Sequence, residues 1–341
     1  MFLLRDAQKS DLPSLKRLAA SLNTYNLPDH EEALEALVEK SLKSFSGRIE
    51  EPREREYLFV LEDSLAGKVA GTSLVIAQHG TYEAPHTFYE VSEREHYSAS
   101  LDRHFRHKVL SIGYNYDGPT EIGGLVVDPA YRGSPEKLGK QLSFVRFLFI
   151  AMHRSAFREK VLAELLPPLL PTGRSLLWEA IGKKFTGLTY QDADRLSRQN
   201  REFIKELFPA SDIYATLFPE RTQRVIGEVG AGSRPVQKML EQIGFKYVER
   251  IDPFDGGPHY EAKTEDVSVI DRYRSCRLSP RELNRPGDEA LVASERASGR
   301  NRFRAVKTQV AFDNRQALIS LEAREMLQAR QGAAIGIVPF S

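Results

Sequence analysis

Arg132, Gly133, Gly139 and Lys140 stand in a stretch whose residue types could grip a phosphate. Ahead of them, Glu121-Ile122-Gly123-Gly124-Leu125-Val126-Val127 is a short apolar run that meets Asp128-Pro129, turns through Arg132-Gly133 and gives way at Leu138 to helical spacing. That order predicts strand, loop, helix. The first turn of a helix has unpaired backbone N–H groups and the positive end of the peptide dipoles, so a loop entering it presents an anion with several donors at once. Arg132 and Lys140 would add side-chain charge. On spacing alone an ordinary βα turn fits equally well, because short glycine-containing loops recur without any ligand. A second stretch, Phe254-Asp255-Gly256-Gly257-Pro258-His259-Tyr260-Glu261, is a glycine-rich turn between expected strands; by its residues alone a hairpin tip fits it somewhat better than a catalytic loop.

The elements that must position these stretches follow from periodicity. Phe2 to Arg5 reads as a strand, and Ser10-Asp11-Leu12-Pro13 opens a helix, with Ser10 as cap and Leu12, Leu15, Leu18, Ala19 and Leu22 on one face. A second helix is expected over Glu31 to Phe45. Tyr57 to Glu62 and Lys68 to Ala77 read as a hairpin, with further strands at Thr87 to Val91 and Lys108 to Tyr114. After the loop, Leu138, Leu142, Val145, Phe149 and Met152 mark a long helix, and Val161 to Leu166 a strand closed by Pro167-Pro168. Ligands of open α/β sheets gather beyond the carboxyl ends of such strands. Ser175 to Phe185 and Pro235 to Tyr247 both read as a helix ending at glycine, at Gly182 and Gly244. Gln191 to Phe208 and Pro219 to Val229 read as helices of an insertion. Beyond a charged connector, strands near Ala290 to Ser294, Phe303 to Lys307 and Ile335 to Val338, with a helix over Leu321 to Ala329, make a small module.

Composition excludes several classes. The chain has 341 residues, enough for two or three units at about 100 to 200 residues each. Lys and Arg total 48 against 47 Asp and Glu, a net charge of +1, so nothing global attracts nucleic acid or anionic lipid. A single cysteine, Cys276, rules out an internal disulfide framework and fits a reducing compartment. The opening Met1-Phe2-Leu3-Leu4 is too short for a signal segment, and no apolar run approaches a membrane span, which points to the cytoplasm. Arg296, Arg300, Arg302 and Arg304 lack the interleaved aromatics of a nucleic-acid patch. His104 and His107 have helix-like spacing but no third ligand, so no metal is expected. No Gly-x-Ser-x-Gly elbow or glycine-rich nucleotide signature is present, and Cys276 among arginines reads as incidental.

The Leu-x-Val-Asp-Pro-x-Tyr-Arg-Gly segment from Leu125 to Gly133 resembles the coenzyme A segment of the GNAT acyltransferases. The wider chain resembles one branch, the arginine N-succinyltransferases, through Tyr57 to Asp63, Val69-Ala70-Gly71, Leu125 to Pro129, Val225-Ile226-Gly227-Glu228-Val229 and Ile251 to Pro258, in the family's order over residues 1 to 270. The resemblance implies an α+β, GNAT-like acyl-CoA N-acyltransferase fold: a mixed, mostly antiparallel sheet flanked by helices. That domain would span residues 1–270 with a helical insertion at about 186–232, followed by a linker at 271–288 and a small β-rich C-terminal module at 289–341. It implies a succinyl transfer from succinyl-CoA to the α-amino group of L-arginine, by direct attack through a tetrahedral intermediate and without a metal. Backbone N–H groups of Leu125, Val126 and Val127 would hold the thioester oxygen; Arg132, Gly133, Gly139 and Lys140 would hold the pyrophosphate. Asp255 and Glu261, with His259, become candidates for meeting a cationic substrate. Small-molecule partners and a homo- or hetero-oligomer of related subunits complete the expectation, with neither nucleic acid nor membrane.

Two departures qualify the carry-over. Where the family's loop has a glycine three positions after the arginine and a small residue five after it, this chain has Pro135 and Lys137, and Gly139 arrives two residues late. The family's proton donor, a histidine just after Val-Ile-Gly-x-Val, is Gly230 here. Glycine cannot carry a proton, so Glu228, Ser233 and His259 are the candidate replacements. A transferase on another amine and a CoA-binding pseudoenzyme or regulatory subunit are the alternatives.

Overall fold

The computed structural model describes the chain except residues 21–26, 29, 83, 198–200, 300, 315 and 341. The first strands are β1 (Phe2–Asp6), β2 (Glu56–Asp63), β3 (Lys68–Ile76), β4 (His86–Ser98), β5 (Arg103–Asn115), β6 (Thr120–Val127), β7 (Lys160–Glu164) and β8 (Ile213–Tyr214). Then come β9 (Lys246–Ile251), β10 (Pro258–Lys263), β11 (Arg274–Leu278), β12 (Asp288–Glu295), β13 (Phe303–Asp313), β14 (Gln316–Leu318) and β15 (Ala334–Pro339). The helices are α1 (Leu12–Ala20), α2 (Glu31–Phe45), α3 (Leu138–Met152), α4 (Leu176–Ala180), α5 (Gly182–Thr186) and α6 (Tyr190–Ser197). They continue with α7 (Glu202–Leu207), α8 (Glu220–Gln223), α9 (Arg234–Gln242), α10 (Ser268–Asp271) and α11 (Leu321–Leu327). Two compact units result: residues 1–78, 120–159 and 263–341 form one, residues 79–119 and 160–262 the other.

In the first unit the strand order is β12-β15-β11-β14-β13-β1-β2-β3-β6, and β12 also pairs β13, so the last five strands close on themselves. Their interior holds Leu278, Val292, Val310, Ile335 and Ile337, with Ala323 and Leu327 of α11 packed in. β13 continues to β1, and every pairing in this unit is antiparallel except β11 with β14. The alternation of a strand sets the two faces of β2. Leu58 and Val60 join Leu15, Leu18, Leu34 and Val38 from α1 and α2, while Tyr57 and Phe59 meet Phe149 of α3 at ring-centroid distances of 4.6 and 5.4 Å. Apolar on nearly all sides, α3 is buried along most of its length.

In the second unit the order is β7-β10-β9-β4-β5-β8. Trp178 of α4 is fully buried, stacked on Phe254 at 5.0 Å, and its indole N–H donates to Leu188.

The mixed, mostly antiparallel architecture is the expected one, and α2 and α3 have the predicted bounds. Three local expectations are corrected. Ser10 does not cap the first helix: the preceding turn is closed by a box in which the Gln8 N–H donates to Asp11 Oδ2 at 2.8 Å. Leu22 lies outside the described residues. Gly182 opens α5 rather than ending a helix, because a Cβ there would meet the Trp178 ring at 2.3 Å. The helix expected over Pro219 to Val229 is the single turn α8, which ends at Gln223; Gly227, at φ +76°, lies beyond it and keeps the chain from resuming a helix.

Candidate active site

The cradle expected around Arg132 lies in the first unit. β6 pairs β3 with a register shift: Val126 faces Thr72 and Gly123 faces Leu74, leaving Gly124 and Leu125 opposite Ser73 alone. This is a bulge, made possible by Gly124 at φ +56°. Val126 is buried, Leu125 and Val127 half-buried. Asp128 then caps a single turn by accepting from the Ala130 N–H at 2.9 Å, and Arg132 returns a hydrogen bond from Nε to the Val127 carbonyl at 3.1 Å. Gly133 takes φ +76° with nothing near its missing side chain. Lys137, itself left-handed at φ 54°, is the N-cap residue of α3 and makes no side-chain cap hydrogen bond. A Cβ at Gly139 would meet only Val127 Cγ2, at 3.8 Å. The protein has room for a side chain there, so what the glycine keeps open is approach to the helix terminus from outside. Lys140 behaves differently. Its ammonium donates to the Phe340 carbonyl at 2.7 Å and lies 4.9 Å from the ring centres of Phe144 and Phe340; burial, then Lys137 and Arg272, pull its pKa down.

The other predicted residues lie in the second unit, where Asp252 to Gly257 connects β9 to β10 as a hairpin tip held by Gly256 N–H to Asp252 O at 2.9 Å. His259 is wholly buried, its Nε2 3.4 Å from Glu164 Oε1. His86, 1% exposed, brings its Nε2 to 3.3 Å from the same oxygen, and the two imidazoles stack at 5.2 Å. Asp255, 4% exposed, accepts from the Gly257 N–H at 2.7 Å and from the Tyr190 hydroxyl at 3.4 Å. Burial first, then repulsion from Glu164 and Asp194, pushes its carboxyl up to about 7. Asp252 accepts from the N–H groups of Phe254 and Asp255, and burial, then Asp255 and Glu164, raise its pKa well above the usual carboxylate range. Glu261 faces two cations, Lys160 at 3.3 Å and Arg250 at 3.8 Å.

Glu228 is exposed, and Ser233 is the N-cap residue of α9, with no side-chain cap hydrogen bond. Of the three candidate replacements for the donor, His259 is the one brought against an acid. Position 230 is closed to a side chain: the Gly230 N–H donates to Leu166 O at 2.9 Å, and a Cβ would stand 2.7 Å from Pro167 O. His104 and His107, which have helix-like spacing in the sequence, lie on strand β5, where residues three apart point to opposite faces. His107 bonds Thr216 Oγ1, and His104 packs on Tyr97. Glu164, His86 and His79 escaped the sequence reading. The available signal was one charged residue, Glu164, at the carboxyl end of an apolar strand.

Residues 2–269 match the family model described as Arginine N-succinyltransferase beta subunit. The proteins called Arginine N-succinyltransferase in Yersinia pestis (strain Pestoides F) and Salmonella paratyphi B are 33% and 32% identical to this chain, covering 99% of it and 97% of their own lengths. The solved structure of arginine/ornithine succinyltransferase subunit AI from Pseudomonas aeruginosa aligns with a TM-score of 0.85 at 29% identity, over 100% of this chain and 99% of that one. The molecule is an acyltransferase. Within that class it belongs to the arginine N-succinyltransferase family. No described helix is long and apolar enough to cross a membrane.

Proposed function

We propose that the chain transfers the succinyl group of succinyl-CoA to the α-amino group of L-arginine, without a covalent enzyme intermediate. The observation that carries this reading is the bulge at Gly124 and Leu125 leading into a helix terminus that no side chain caps. A bulge takes one residue out of the ladder, and a backbone N–H aimed at the developing oxyanion typically contributes about 2.7–4 kcal/mol. The N-terminus of α3, with Gly133, Gly139 and Arg132, receives the diphosphate of the donor, while Lys140, tied to Phe340, adds only diffuse charge.

The attacking amine must lose a proton as its nitrogen bonds the thioester carbon and the carbon–sulfur bond breaks, releasing CoA thiolate. Glu164 is the acceptor this reading assigns, because it is a quarter exposed whereas both imidazoles that flank it are buried. His86 and His259 position its carboxylate. Asp252 and Asp255, held largely protonated by burial, gain charge only as a cationic substrate approaches; Glu261, already matched by two cations, contributes less. On this reading the enzyme serves arginine breakdown in the cytoplasm, as an assembly of like or related subunits.

Thiol release measured over a panel of acyl-CoA donors and amines tests the reading. Turnover with succinyl-CoA and L-arginine is expected. Turnover confined to another donor or amine would overturn the substrate assignment, and CoA binding without turnover would overturn the enzymatic one.

A further inference from the structure

The side chains around Glu164 also satisfy the demands of a different ligand. Its Oε1 stands 3.3 Å from His86 Nε2 and 3.4 Å from His259 Nε2. The ligand atoms of His79, His86 and Glu164 all lie within 4.8 Å of one another, and the His79 ring meets that of His86 edge-on at 4.6 Å. Nitrogen and oxygen ligands sit about 2.0–2.2 Å from a tetrahedral zinc ion, which puts neighbouring ligands about 3.4 Å apart. The His86–Glu164 separation therefore already has the length of a tetrahedral edge, and His79 needs only a side-chain adjustment to close the others.

We propose that His79, His86 and Glu164 form a binding site for a borderline divalent transition metal of the zinc class, with the fourth position open to water. Two imidazoles and one carboxylate are the ligand types such ions select over the all-oxygen sets of magnesium or calcium. Burial of His86 fixes its ring, His259 backs Glu164, and the partial exposure of Glu164 leaves the ion a path in. The positive side chain in reach, Arg201, approaches His79 Nε2 at 3.5 Å, a weak contact that a metal on that nitrogen displaces. The sequence offers no motif for this site because its ligands come from three places: His79, the start of β4 and the end of β7.

The site rests on the same carboxylate that the proposed transfer reaction uses as its proton acceptor. Lone pairs that hold a metal cannot take a proton, so metal binding and transfer exclude each other. The metal-loaded protein is then a silent form of the enzyme, released by chelation.

The test uses the full-length protein after treatment with a chelator, titrated with zinc alone by calorimetry and with cobalt(II) alone by visible absorption. One equivalent of each is expected to bind, with the intense bands of tetrahedral cobalt. The variants His79→Ala and His86→Ala, checked for folding by circular dichroism, are expected to weaken binding at least about tenfold, no less than the loss of an outer-shell partner does. His79 is only half-buried, so its variant keeps the test informative if His86→Ala fails to fold. Absence of stoichiometric binding, or binding that both variants leave unchanged, overturns the proposal. Zinc should also suppress thiol release, with EDTA restoring it; zinc-insensitive turnover by the zinc-loaded protein overturns the exclusion. Because the binding readouts need no substrate, failure of the transferase reading would leave them standing.

Discussion

The approach to α3 and the surroundings of Glu164 are opposite solutions to handling charge. Around α3 the working groups are main-chain: a bulge at Gly124 and Leu125, left-handed Gly133 and Lys137, and a terminus without a side-chain cap. Around Glu164 they are side chains, with two buried imidazoles against one carboxylate and two further acids whose pKa values burial drives upward. A backbone cradle is fixed by local conformation and tolerates loss of any one side chain. A convergent cluster stores unfavourable desolvation, and one substitution changes the protonation of its neighbours. The difference can be probed by asking where a single side chain matters most.

The largest effect is expected at Glu164. Glu164→Gln keeps the volume and removes the proton acceptor, so kcat should fall by about 10²–10⁴-fold, with the KM for succinyl-CoA nearly unchanged. A fall in kcat below about threefold would remove Glu164 from the chemistry. The cradle should yield less. Arg132→Ala is expected to raise the KM for succinyl-CoA by about 1.5–3 kcal/mol, the usual contribution of a hydrogen bond to a charged group, while Lys140→Ala shifts it less, because that ammonium is already engaged by the Phe340 carbonyl. Equal effects of the two variants would show that the lysine leaves Phe340 when the donor binds.

A third substitution separates a relocated donor from a decayed one. Gly230→His puts a Cβ 2.7 Å from the Pro167 carbonyl, a contact with backbone that no rotamer relieves. The expected result is a lower melting temperature, equivalent to about 1–3 kcal/mol of overpacking, and no gain in thiol-release rate. A gain in rate would mean that the Leu166-Pro167 backbone yields and that the cluster around His259 has not taken over the proton.

The same contrast explains what could be read from the chain. The strand, loop and helix from Glu121 to Met152 were legible because they are contiguous: apolar run, Asp-Pro, Arg-Gly and helical period follow one another, and α3 spans the range its spacing predicts. The closure of β11 to β15 and the pairing of β13 with β1 were not, since partners such as Arg274 with Ile337 or Leu3 with Val306 are too far apart in the chain to leave a local pattern. The helical period over Pro219 to Val229 misled because α8 stops at Gln223, and Gly227, left-handed at φ +76° with the Tyr247 hydroxyl where a Cβ would stand, cannot carry the helix on. His259 could be singled out from its glycine-rich turn, but its partnership with Glu164 and His86 depends on three segments that only the fold brings together.

The smallest expected effect is one of stability, and its sign follows from the direction of the shift at Asp255. In the folded protein this carboxyl is pushed up to about 7 from an ordinary value of 3.8, with burial as the main cause. An acid whose folded pKa lies above its unfolded one binds its proton more tightly in the fold, so its contribution is intact below pH 4 and is lost as the pH rises to about 7. Asp255→Asn keeps the oxygen that accepts from the Gly257 N–H and removes the charge. Above pH 7 the variant should therefore be the more stable protein, by at least about 1 kcal/mol. The advantage should shrink as the pH falls toward 4, where both proteins carry a neutral group. Melting temperatures from pH 4 to pH 8 would measure it; a constant gap, or one that widens toward acid, would mean that Asp255 folds as an ordinary ionised carboxylate and that the acids beside Glu164 hold no stored charge.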